Sequence, residues 1–110
     1  MLIPVVTLLN DEGFVYLVKN KDHTMFKIGW SQNIQKRMRS YVSHYPDIDL
    51  IKAWHVPSKD FENKIRKRII DDKLGMPCKI KAQKEWLYGN PLVMEMEFII
   101  EKIKEENFAK

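Results

Sequence analysis

Cysteine pairs, long apolar runs and low-complexity tracts are all missing from this chain. A single cysteine, Cys78, stands among 110 residues. That excludes an internal disulfide and suits a reducing, intracellular compartment. The three histidines, His23, His44 and His55, are scattered, and none pairs with Cys78 at zinc-ligand spacing, which argues against a structural zinc site. The apolar opening, Met1 to Leu9, lacks a basic n-region and a small-residue cleavage site, so it is a poor signal peptide. It is far shorter than the roughly 20 residues a membrane helix needs, and no membrane partner is expected. No repeat or linker divides the chain.

What is present is a core. Hydrophobic residues make up 45% of the sequence, enough for one packed domain at this length. The formal net charge is +4, too modest to name a nucleic acid as partner by itself. The placement of the charge says more. Lys36, Arg37 and Arg39 share one predicted helix, and Lys64, Arg66, Lys67 and Arg68 share another. Lys79, Lys81 and Lys84 follow in the next segment. Each cluster alone reads as a solvated helix face; together they favour a phosphate backbone as ligand.

The stretch from Gly13 to Tyr41 organises the rest. Phe14-Val15-Tyr16-Leu17-Val18 and Met25-Phe26-Lys27-Ile28-Gly29 are two strand-like runs joined by the turn residues Asn20 to His23, which predicts a β-hairpin. From Asn33 the period changes. Ile34, Met38, Tyr41, Val42 and Tyr45 recur at helical spacing and predict one buried helix face, with Arg37 flanking it. Ser31 or Asn33 is the expected cap, and Pro46-Asp47 the stop. Ile48 to Val56 reads as a third strand with imperfect alternation. Ser58 opens a second helix with a Phe61, Ile65, Ile69 stripe, and Gly75-Met76-Pro77 stops it. Leu87 and Tyr88, beside Trp86, read as a short strand or a packed loop. Asn90-Pro91 predicts the start of a third helix, to about Glu106, burying Leu92, Met96, Ile99 and Ile103. Met94 and Phe98 fall off that stripe and either widen it or meet a partner. The expected fold is a small α/β domain: an antiparallel three-stranded sheet flanked by about three helices. Residues 1–12 are an arm or extra edge strand, packed on the core or on a second copy; 13–106 are the domain, and 107–110 a frayed tail.

This ordered set resembles the GIY-YIG nuclease family. Gly13-Phe14-Val15-Tyr16 matches its first motif, and Lys27-Ile28-Gly29 its second, with lysine in place of the second tyrosine. Arg37 falls where the family carries its helix arginine, and Lys36-Arg37-Met38-Arg39-Ser40-Tyr41 is similar to that helix in the excision-repair branch. The Lys-Ile-Gly form, with Glu85-Trp86 later, looks most like a branch common in phages and large DNA viruses. The resemblance covers about Gly13 to Ile103.

The resemblance implies a metal-dependent endonuclease acting on DNA phosphodiesters. Tyr16 would be the general base on the attacking water or relay its proton. Lys27, an ammonium beside a phenol, is expected to favour the phenolate and bring it toward working range. Arg37 would hold the scissile phosphate, since guanidinium presents a fixed donor fork to phosphate oxygens. Glu62, beside the buried stripe of the second helix, would ligate Mg²⁺ or Mn²⁺. Tyr41 lines the same pocket or belongs to the core. Lys36, Arg39, Lys64 and Arg66 are the expected DNA contacts. Each has a plainer reading. Glu62 with Arg66 is an ordinary i,i+4 ion pair, Arg37 a surface arginine covering the core edge, and Tyr16 with Lys27 a common cross-strand contact. Arg66 also stands where the branch often has histidine. A chain this short leaves no room for a separate DNA-binding module. Target choice would come from the domain itself, a homodimer, DNA structure or a protein partner. The alternative is a nucleic-acid-binding module of the same fold that does not cut.

Overall fold

Residues 12–78 and 86–108 are described by the computed structural model. The N-terminal arm, Glu85, and Lys79, Lys81 and Lys84 lie outside them. The hairpin forms as the run of β-branched and aromatic residues predicts. Strand β1 is Gly13–Lys19, and β2 is Met25–Ser31. They pair antiparallel with Tyr16 opposite Gly29 and Val18 opposite Lys27. The Asn20 side chain organises the turn: its Oδ1 accepts from the backbone of Thr24 at 2.9 Å and of Met25 at 3.0 Å. His23 takes the left-handed conformation there, φ 53°, which a turn tolerates.

Strand β3, Asp49–Val56, lies on the other side of β1. The register shifts between Leu17 and Val18, which face Lys52 and Leu50. Ile51 is therefore an extra residue, and this bulge is why the alternation of β3 reads imperfectly. The sheet holds five strands, not three, in the order β3-β1-β2-β5-β4. The additional two, β4 (Met76–Pro77) and β5 (Leu87–Tyr88), are two residues each. A ladder that short leaves no periodicity to read. Strand β5 pairs only with Met25 and Phe26 of β2.

Three helices complete the fold: α1 (Ile34–His44), α2 (Asp60–Asp71) and α3 (Val93–Phe108). Alternate residues of the central strands point to opposite faces, and each face gets its own cover. Val15, Leu17, Phe26 and Ile28 meet Phe61, Ile65 and Ile69 of α2 and Met96, Ile99, Ile100 and Ile103 of α3. Tyr16, Val18 and Trp86 meet Ile34, Met38 and Tyr41 of α1, with Met25, Ile48 and Ala53. The described residues thus form three layers, α1 being the one helix among them on its side of the sheet.

That asymmetry corrects two expectations. No residue of α1 is fully buried; Val42 and Tyr45, assigned to its buried face, are 49% and 43% exposed. One helix on the open end of a small sheet covers it with a single narrow stripe. Helix α3 also starts later than Asn90-Pro91 predicts. The carboxylate of Glu95 accepts from the Leu92 N–H at 2.8 Å, and the buried Lys19 ammonium donates to the Pro91 carbonyl at 2.9 Å. Pro91 is thereby tied to β1, and Leu92 lies outside the core. Met94 and Phe98 are exposed too. Asn33 is the cap of α1, accepting from Lys36 N at 3.0 Å. Ser58 accepts from Asp60 N ahead of α2. Among the described residues, no helix is long and apolar enough to cross a membrane.

Candidate active site

The site grows from β1. Tyr16 is fully buried, mid-strand, between Gly29 and Ala53. Its ring runs across Gly29: a β-carbon at position 29 would lie 2.2 Å from both the Tyr16 hydroxyl and its Cζ. The glycine of Lys-Ile-Gly is therefore a platform for the tyrosine. The Tyr16 hydroxyl reaches the Tyr41 hydroxyl of α1 at 2.9 Å, with the rings edge-on at 6.0 Å. Lys27, two residues before Gly29, points to the same face. Its ammonium sits 4.9 Å from the centroid of the Tyr41 ring, within reach of a cation–π contact.

Arg37 is one helical turn before Tyr41, and its charge draws the Tyr16 phenol down. Glu62, in the first turn of α2, pushes the same phenol up. Helix α2 packs on the opposite face of the sheet from α1. Among the described residues, β5 covers only Met25 and Phe26 of β2. Arg66 of α2 reaches the same strand further along: its Nη2 donates to the Ile28 carbonyl at 2.8 Å and stands 3.9 Å from Glu62 Oε1. So Tyr41 touches both Tyr16 and Lys27, and Arg37 and Glu62 act electrostatically on Tyr16.

Two expectations change here. Tyr16 is not brought toward neutrality by Lys27. Burial, first, and the Tyr41 hydrogen bond, second, hold its phenol far above the ordinary value, with Arg37 opposing them weakly. Desolvation disfavours the phenolate more than nearby charge favours it. Arg66, expected among the DNA contacts, is turned to the sheet edge and three-quarters buried. Sequence spacing showed only its i,i+4 relation to Glu62; the Ile28 link has no local signal.

The two basic clusters within the described residues, on α1 and α2, do not share a surface. Lys36 and Arg39 are exposed on α1 with Arg37. Lys64 is on α2, across the sheet, and near it Arg68 pairs with Glu106 at 3.1 Å. Two of the histidines are engaged elsewhere: His23 pairs with Asp49 at 3.0 Å, and His55 with Glu12.

Among the described residues, no three of His, Cys, Asp or Glu stand together as a metal cage. Among the described residues, Glu62 is the carboxylate that acts on Tyr16. Its side chain is 22% exposed, and its neighbour Arg66 is committed to a backbone carbonyl, so the carboxylate keeps acceptor capacity. One carboxylate fits Mg²⁺, which keeps several waters and takes phosphate oxygens.

Fold and site together define a small three-layer α/β domain with a tyrosine-centred polar site. The chain belongs to the T5orf172 domain family, whose model matches residues 13–105. That domain is phage-associated and related to nucleases. No curated protein and no solved structure matches the chain.

Proposed function

We propose that the protein is a GIY-YIG-type, metal-dependent endonuclease that hydrolyses DNA phosphodiester bonds. The observation that carries the reading is the Tyr16–Tyr41 hydroxyl pair at 2.9 Å, with Arg37 and Glu62 acting on it from two sides of the sheet. The family's relation to nucleases supports it.

Arg37 clamps the scissile phosphate, a task suited to a permanently charged fork. Tyr16, neutral at neutral pH, works as a relay and not as a free base. The attacking water gives its proton to the Tyr16 oxygen as Tyr16 passes its own to Tyr41, and Tyr41 releases one to solvent. The new O–P bond forms as the bond to the leaving oxygen breaks, and the leaving oxygen takes a proton from solvent to become a hydroxyl, balancing the one Tyr41 releases. Lys27 offsets negative charge that develops on the hydroxyl pair. Glu62 would hold a Mg²⁺ or Mn²⁺, which when bound supplies charge relief at the phosphoryl oxygens.

One observation favours a second reading. A phenol held this far above its ordinary value suits a nucleic-acid-binding module that does not cut.

Nicking of supercoiled plasmid with Mg²⁺ or Mn²⁺ separates the two. The nuclease nicks with either cation, and Arg37→Ala, Glu62→Ala and Tyr16→Phe each lose roughly a hundredfold or more in rate. Salt-sensitive DNA binding with no nicking by the wild type would replace the nuclease with the binding module. Nicking that survives all three substitutions would remove these residues from the site.

A further inference from the structure

A cavity of about 340 Å³ opens beside the tyrosine pair, lined by none of the five residues assigned above. Tyr45, Trp86, Met25 and Ile48 form its apolar walls, and Lys21 and His44 line it as well. Trp86 is buried and Tyr45 is half-exposed, with ring centroids 6.0 Å apart. Trp86 is thus a floor and Tyr45 an accessible aromatic face. This explains why Tyr45, read as core from its spacing, is left open to solvent.

The cavity is walled by side chains that pack on the site. Trp86, Met25 and Ile48 belong to the same packed cluster as Tyr16 and Tyr41. Tyr45 follows Tyr41 by one helical turn, its N–H donating to the Tyr41 carbonyl at 2.7 Å. One turn advances about 5.4 Å, comparable to one nucleotide of an extended strand. Arg37 and Tyr41 lie one turn apart on α1, and Tyr45 caps the end of that helix four residues further on.

We infer that this cavity is a nucleobase subsite, taking an unpaired base of a DNA strand one step from the phosphate held by Arg37. The inference rests on the nuclease or DNA-binding reading above and names its substrate: DNA carrying an unpaired or extrahelical nucleotide. The chemistry selects that occupant. A base presents a flat π-face to Tyr45, and stacking of this kind accepts any base. Lys21 and His44 suit the anionic backbone on either side of it. Asp47, also on the lining, adds an acceptor for an exocyclic amine, as carboxylates do with cytosine N4. A base inside a continuous duplex has no free face to offer, so the nucleotide must be unpaired.

Fluorescence anisotropy tests this by binding alone, without cleavage. The probes are a duplex with one extrahelical cytosine, the same duplex with an abasic nucleotide at that place, and the fully paired duplex. The wild type binds the first about tenfold more tightly than the other two. Tyr45→Ala abolishes the preference and leaves paired-duplex binding unchanged, while Tyr45→Phe keeps it. Equal wild-type binding of all three probes would overturn the subsite and leave the DNA reading standing. So would a Tyr45→Ala loss shared by all three. No binding of any probe at low salt would overturn the DNA reading and the subsite together.

Discussion

The Tyr16 hydroxyl lies where a side chain at position 29 would begin, 2.2 Å from the β-carbon that Gly29 lacks. The backbone at Gly29 is ordinary strand, so only this contact forbids a larger residue. Gly29→Ala should displace the Tyr16 ring and destabilise the fold by about 1–3 kcal/mol, as overpacking does. In a Tyr16→Ala background the same change should cost less than about 0.5 kcal/mol. A urea double-mutant cycle checks this, and additive costs would mean that the ring does not rest on Gly29.

Tyr16 should resist ionisation. Its phenol is raised by burial and by the Tyr41 bond. A raised folded value means the stability it contributes is complete below the unfolded value, near ~10. It is lost as pH rises from there toward the folded value. Tyrosinate absorbance of wild type minus Tyr16→Phe should show no Tyr16 signal until the protein unfolds in alkali. A Tyr16 signal at pH ~10 in the folded protein would contradict the burial argument.

Glu97 gives the opposite slope. Lys52 donates to it at 2.7 Å and Trp54 at 3.2 Å, and these hydrogen bonds hold its carboxyl below the ordinary range. Its contribution is present above the unfolded carboxylate value and fades as pH falls through the depressed folded value. Glu97→Gln should flatten the acid limb of thermal stability. An unchanged limb would place the acid sensitivity elsewhere.

Salt dependence should separate the two faces of the sheet. Lys36→Ala and Arg39→Ala on α1 should each reduce the salt slope of DNA binding by about one. Lys64→Ala, on the helix across the sheet, should leave it unchanged. The reverse result would move the DNA to the α2 face.

Much of this was legible before the fold was known. Apolar runs rich in β-branched and aromatic residues around turn chemistry gave β1 and β2, and helical stripes gave α2 and α3, each of which buries one regular face. Parity alone puts Tyr16 and Lys27 on one side of the sheet. What escaped was set by contacts distant in sequence. Asn90-Pro91 carries the local signature of a helix start, yet Lys19 and Glu95 fix the chain otherwise. The spacing of Val42 and Tyr45 matches a buried face that no second helix is there to cover. Strand β4 is too short to leave a pattern, whereas β5 forms at Leu87–Tyr88, the first of the two alternatives read there.

Arg66 donates to the main-chain carbonyl of Ile28 in β2. Truncation as Arg66→Met should cost about 1–3 kcal/mol by orphaning a buried carbonyl, measurable by urea unfolding. Unpaired main-chain acceptors along a strand are what other strands bind. With its guanidinium on the Ile28 carbonyl, Arg66 keeps that acceptor engaged within its own molecule, and it does so 3.9 Å from the carboxylate of Glu62.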